Sequence, residues 1–132
     1  LFMRSGGYWQ NLSWVDYVRL NSNFVPFRTI SQYVHLLFTG SINANIPLTN
    51  LWGNLLMMAP MGLYLPYFFK RARRPAVFFL VMLCLVLSAE LAQTCLRVGS
   101  LDIDDVILNL AGAFLGYGLG RLRWVRRFVY VE

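Results

Sequence analysis

Three apolar blocks, each close to the span of a bilayer core, decide what this chain can fold into. "LTNLWGNLLMMAPMGLYLPYFF" (48–69) carries no charged residue, "PAVFFLVMLCLVLSAELAQTCL" (75–96) carries one, Glu90, and "VILNLAGAFLGYGLG" (106–120) carries none. Roughly 20 helical residues cross the hydrocarbon core. There a backbone can satisfy its own polar groups only as a helix or a closed barrel. The expected architecture is an all-α integral membrane protein, a small transmembrane bundle with helices at 49–69, 75–96 and 104–122. Composition agrees: 58% of the 132 residues are hydrophobic and 14% charged, against about 25% charged in soluble domains.

The net charge is +6, but its placement says more than its sum. "KRARR" (70–74) separates the first and second blocks, and "RLRWVRR" (121–127) follows the third. Lys and Arg favour the cytoplasmic side of membrane helices. Both clusters are therefore expected in the cytoplasm, with the 123–132 tail. Segments 1–48 and 97–103, poor in Lys and Arg, are expected outside. Because each basic cluster abuts a predicted span, nucleic acid is not an expected partner. The first residue is Leu1, and "LFMR" (1–4) reads as the exit of an earlier helix. That suggests a fourth, N-terminal span upstream of this sequence.

Segment 5–47 mixes aromatics with Asn, Ser and Gly, as suits a loop lying at the membrane interface. Within it "VPFRTISQYVHLLFTG" predicts a short amphipathic helix, with Ile30, Val34 and Leu37 at i, i+4, i+7 and Gly40 as its stop. "NLS" (11–13) has the form of a glycosylation sequon. His35, the one histidine, is expected to be an ordinary interfacial residue. Cys84 and Cys95 share one predicted helix about 16 Å apart, too far to bridge. Neither zinc spacing nor a calcium loop is present, so no metal and no cofactor are expected.

The polar residues of the three spans fall into stripes. Asn50 and Asn54 are i, i+4 on the first. Glu90, Gln93 and Arg97 are i, i+3, i+7 on the second. Asp105 and Asn109 are i, i+4 on the third, above "DIDD" (102–105). An ionisable residue inside a span usually faces the bundle interior and has a partner, so the stripes are expected to meet at the outer end. On the third span Gly112, Gly116 and Gly120 form a small-residue ridge that lets helix backbones approach. Pro60 and Pro66 interrupt the first span. Two readings of the polar cluster stay open. In one, Glu90 pairs with Arg97, Asp104 caps the third helix, and the amides are interhelical glue. In the other the cluster is a ligand or substrate site.

At these residues the chain resembles the VanZ-like membrane protein family. The resemblance rests on "NFVPFRTI" (23–30), "NLWGNLLMMAPMGLYLP" (50–66) and "SAELAQTCLRVGSLDIDDVILNLAGAFLGYGLG" (88–120). The family pattern carries over to Asn23, Pro26, Phe27, Asn54, Pro60, Gly62, Glu90, Gln93, Asp102, Asp105, Asn109 and Gly112. It implies a single membrane domain over 1–132, in the bacterial cytoplasmic membrane, usually with one more N-terminal span. It also implies a cell-envelope setting, since the family takes its name from a member linked to low-level teicoplanin resistance.

The expected function is to bind or modulate a lipid-linked envelope precursor, membrane lipid or lipophilic glycopeptide. The site would comprise Asn54, Glu90, Gln93, Arg97, Asp102, Asp105 and Asn109. A structural set, Asn23, Pro26, Phe27, Pro60, Gly62, Gly112, Gly116 and Gly120, would hold it. One alternative is an intramembrane enzyme with Glu90 and Asp105 as acid and base, their pKa values split by burial. Another is a transporter or channel subunit with the cluster as an ion relay.

Overall fold

Every fourth residue of the longest helix points inward: Phe78, Met82, Val86, Glu90 and Thr94 are all buried. This helix, α5 (Pro75–Cys95), keeps much of its remaining apolar surface turned outward, including Phe79, Leu80, Leu85, Leu87 and Leu91. The pattern is the reverse of a soluble core helix: the hidden stripe ends in an acid and a threonine, and the outward face is leucine and phenylalanine. Large outward apolar surfaces mark a membrane or partner contact. Two hydroxyls are satisfied inside the helix, as a dry surrounding requires. Ser88 Oγ donates to the Cys84 carbonyl at 2.7 Å and Thr94 Oγ1 to the Glu90 carbonyl at 2.8 Å.

The structure is a computed structural model, and it describes residues 11–40, 43–122, 125 and 127. The other elements are α1 (Trp14–Asn21), α2 (Arg28–Thr39), α3 (Asn45–Met57), α4 (Ala59–Phe68) and α6 (Ile103–Leu119). A 3₁₀ turn at Lys70–Arg73 joins α4 to α5. Among the described residues there is no strand; one isolated bridge pairs Asn23 with Asp102. Segment 1–4 and most of the C-terminal tail lie outside the described residues, so the upstream-span expectation is not addressed by them.

The expected first span departs most from a single rod. It starts earlier, at Asn45, and breaks at Met58 into two helices. The cause is Pro60, which has no N–H to return to the preceding turn. The ladder restarts with a tighter bond, Met61 N to the Met58 carbonyl at 3.1 Å. Pro66 is accommodated inside α4, where it is buried. Among the described residues, α5 is therefore the one helix long and apolar enough by itself to cross a membrane.

Helix α6 is the hub, packing on α3, α4 and α5. It can sit so close because of its glycines. A Cβ built on Gly112 would fall onto the Leu55 carbonyl, and one on Gly116 onto the Ala59 carbonyl. Gly62 reciprocates from α4, its missing Cβ opposite the Ala113 carbonyl and the Tyr117 amide. At the C-cap of α6, a Cβ on Gly120 would be crowded by the end of the Leu63 side chain, at 3.2 Å, and would otherwise meet the Gly116 and Tyr117 carbonyls at ordinary contact distance. Phe78 fills the space between α5 and α6, stacked on Tyr117 at 4.4 Å and edge-on to Phe114 at 5.2 Å.

The two ends of the bundle are chemically distinct. At one end the basic loop is tied to α6: Tyr117 Oη donates to the Arg73 carbonyl at 2.6 Å, and Arg121 donates to Tyr117 Oη at 2.6 Å. Arg73 Nε covers the Pro66 carbonyl at 3.1 Å, satisfying one of the acceptors left at the end of α4. At the other end gather the four acids Glu90, Asp102, Asp104 and Asp105, together with α1 and α2.

Candidate functional site

The aspartates of "DIDD" divide their work. Asp102 is the N-cap of α6, its Oδ1 accepting from the Asp104 amide at 2.9 Å. The same oxygen accepts from Asn23 Nδ2 at 3.0 Å, and Oδ2 accepts from Thr29 Oγ1 at 2.7 Å. Backbone bonds reinforce the junction, Asn23 N to the Leu101 carbonyl at 2.8 Å and Ile103 N to the Asn23 carbonyl at 2.9 Å. Asp102, expected among the ligand contacts, has both oxygens engaged by the protein and clamps the N-terminal segment to α6.

Asp104 corrects an expectation. It does not cap its own helix. Its carboxylate, fully buried, reaches across to the start of α2, accepting from the amides of Phe27 at 2.5 Å, Thr29 at 2.7 Å and Ile30 at 3.1 Å. Helix α2 has no side-chain cap of its own: its N-cap residue is Phe27, in the left-handed region at φ 63°. An anion from α6 thus occupies the positive end of α2 and satisfies its orphan donors. This explains the role of "NFVPF". Asn23 bridges to Asp102, and the Pro26–Phe27 turn presents three amides to Asp104.

Arg97 corrects a second. The i+7 spacing from Glu90 holds only while the helix continues, and α5 ends at Cys95. Arg97 takes the left-handed conformation at φ 55°. Val98 N returns to the Gln93 carbonyl and Arg97 N to that of Thr94, both at 3.0 Å, the Schellman pattern of a helix end. The guanidinium therefore points away, donating to the Leu12 carbonyl at 3.1 Å and lying 5.3 Å from the centre of the Tyr17 ring. Tyr17 Oη donates to the Gly99 carbonyl at 2.6 Å, so α1 is docked on this turn. Gln93 lies against Gly99, where a Cβ would stand 2.9 Å from its Oε1.

Asp105, Asn54, Asn109 and Glu90 remain. Asn54 Nδ2 donates to Asp105 Oδ1 at 2.5 Å and to Asn50 Oδ1 at 3.1 Å; Asn50 Nδ2 in turn donates to Tyr33 Oη at 2.7 Å. A polar chain thus runs from α2 through α3 to α6. Sequence reasoning missed Tyr33; its i+7 spacing from Pro26 carried no signal, since only the tertiary fold brings α2 beside α3. One turn beyond Asp105 on the same face, Asn109 is 2% exposed, and its Oδ1 has no hydrogen-bond donor. Glu90, 4% exposed, lies on the buried stripe of α5. The Asp102 amide reaches its carboxylate, Asp105 and Asp102 are its neighbouring charges, and its Oε2 has no donor. Buried polar atoms almost always have partners. Here α5 and α6 each hold one orphan acceptor, Glu90 Oε2 and Asn109 Oδ1, and Asp105 of α6 is a neighbouring charge of Glu90.

The VanZ/LLP1 family model matches residues 1–124, nearly the whole chain. The chain belongs to the VanZ/LLP1 family. No curated protein and no solved structure matches it. Family membership and the apolar, outward-facing α5 together point to a membrane protein. Among the described residues, the acidic end of this VanZ/LLP1 chain brings half-buried asparagines of α3 together with Asp105 of α6, and Glu90 of α5 has Asp105 as a neighbouring charge. Asn23, Asp102 and Asp104 secure the N-terminal segment over it.

Proposed function

We propose that this VanZ/LLP1 protein is a multi-pass protein of the bacterial cytoplasmic membrane, and that its acidic end binds a lipid-linked or lipophilic envelope ligand. The observation that carries the reading is Glu90. An acid sits on the buried stripe of a helix otherwise built for lipid, with one oxygen unsatisfied. Placing an ionisable residue there is costly, which favours a functional reason for keeping it. The juxtaposition of Glu90 and Asp105 supports a second reading, an intramembrane enzyme using the two carboxyls as acid and base on a similar substrate.

The test is Glu90→Gln, which preserves shape and removes the charge. The expected result is normal membrane level together with loss of the envelope phenotype the parent confers, such as altered sensitivity to a lipophilic glycopeptide. Full parental phenotype at normal level would make the charge dispensable and refute both readings. Chemical conversion of the retained ligand by the parent would select the enzyme.

The topology has its own check. The charge rule assigns 70–74 and 121–127 to one side and 1–48 and 97–103 to the other. Two sets of contacts support this grouping: Arg73 with Tyr117 and Arg121, and the α1–α2 segment with 97–105. Ala72 is buried and makes a poor probe, whereas Arg71 and Val98 are exposed. In a background with Cys84 and Cys95 replaced, a membrane-impermeant thiol reagent applied to whole cells should label a cysteine at Val98 and spare one at Arg71. The reverse pattern would invert the orientation.

A further inference from the structure

We infer that the group received between Glu90, Asp105 and Asn109 is a primary ammonium; this rests on the binding reading above and names its chemistry. Two buried oxygens at this end are left over as acceptors. Glu90 Oε2 and Asn109 Oδ1 have no donor, and Asp105 Oδ1 accepts from the Asn54 amide, with a carboxylate able to accept about four hydrogen bonds. An ammonium is the complement of such a set, with three N–H donors, no acceptor and a positive charge. It would also offset two neighbouring carboxylates, Glu90 on α5 and Asp105 on α6.

Depth suits a lipid headgroup as the source. Glu90 stands five residues before the end of α5 at Cys95, about 7–8 Å along the axis. That places it just below the polar headgroup layer at the acidic end. Phosphatidylethanolamine carries the required ammonium. Phosphatidylcholine carries the same charge without N–H donors, which makes it the controlling comparison. A free amine could supply the same group, and the test separates the two.

The experiment is native mass spectrometry of the intact purified chain released from nanodiscs. These contain equal phosphatidylethanolamine, phosphatidylcholine and phosphatidylglycerol, with and without excess free ethanolamine. The parent should retain phosphatidylethanolamine over phosphatidylcholine by about tenfold, the ratio that one charge-assisted hydrogen bond supplies. Glu90→Gln and, separately, Asp105→Asn should abolish that preference, each with a melting profile confirming a folded bundle. Two variants are used so that one folding failure leaves the question answerable. Displacement of the lipid by ethanolamine would assign the site to free amines. Retention of a different lipid, lost in Glu90→Gln, would overturn the ammonium and leave the binding reading intact. Equal retention of all three lipids by parent and variants would overturn both. So would a phosphatidylethanolamine preference that survives both substitutions.

Discussion

Gly116→Leu is expected to prevent the bundle from assembling. The space a side chain would need is already occupied by backbone, the Ala59 carbonyl, and backbone cannot step aside by changing rotamer. Overpacking a core commonly costs about 1–3 kcal/mol when side chains can adjust. Here α6 itself must move off α3 and α4, and the loss should be larger. It would be a substantial part of the roughly 5–15 kcal/mol that holds a domain together. The same displacement would pull Asp105 from Asn54. Gly112→Ala should behave similarly, because its Cβ would fall onto the Leu55 carbonyl. Gly118 makes the contrast. A Cβ there meets nothing, so Gly118→Ala should leave stability unchanged or raise it by up to about 1 kcal/mol through helix propensity. Gly120→Ala should fall between, since the flexible end of Leu63 can yield. Yield and thermal unfolding in detergent would be read across the four variants. Parental behaviour of Gly116→Leu would place the ridge away from any helix contact.

Asp104→Ala should release α2 from the bundle. The substitution strips the partners from three amides at the start of a helix that has no cap of its own. Buried donors left unsatisfied cost about 1–3 kcal/mol each, with water recovering part where the turn is exposed. A net loss on the order of 3 kcal/mol is expected. It should be local, because α3, α4 and α5 do not depend on this carboxylate. The measurement is limited trypsinolysis, with cleavage after Arg28 accelerated while α3 through α6 stay protected, alongside a lowered melting temperature. Asp104→Asn should recover only part, as its amide must set an N–H against another N–H. Unchanged protection at Arg28 in the Ala variant would show that α2 is held by something else.

These two results would test features that differ in how legible they were beforehand. The glycine ridge could be read from "NLAGAFLGYGLG" because i, i+4 spacing is a property of one helix. The partner of the ridge could not, because Leu55 and Ala59 are defined by how two helices cross. The same division holds for the carboxylates. Their presence near the end of a span signalled a polar cluster. Assigning Asp102 and Asp104 to clamping the N-terminal segment, and Glu90 and Asp105 to the candidate site, required the long-range pairing of 23–30 with 102–104.

By itself the sequence determined the helical class, the three apolar blocks and the polarity of the bundle. It also determined the stop of α2 at Gly40 and the family, through "NFVPF", "DIDD" and the α6 pattern. These follow from composition and local periodicity, which act over one or two helical turns. Tertiary structure alone decided that Arg97 docks against Leu12 and Tyr17 rather than on the Glu90 face. It also decided that Asp104 serves α2 rather than α6, and that Glu90 and Asn109 bury acceptors without donors. The physical reason is common to all three. Each depends on which donor, acceptor or backbone atom arrives from a distant part of the chain, and residue spacing carries no record of that.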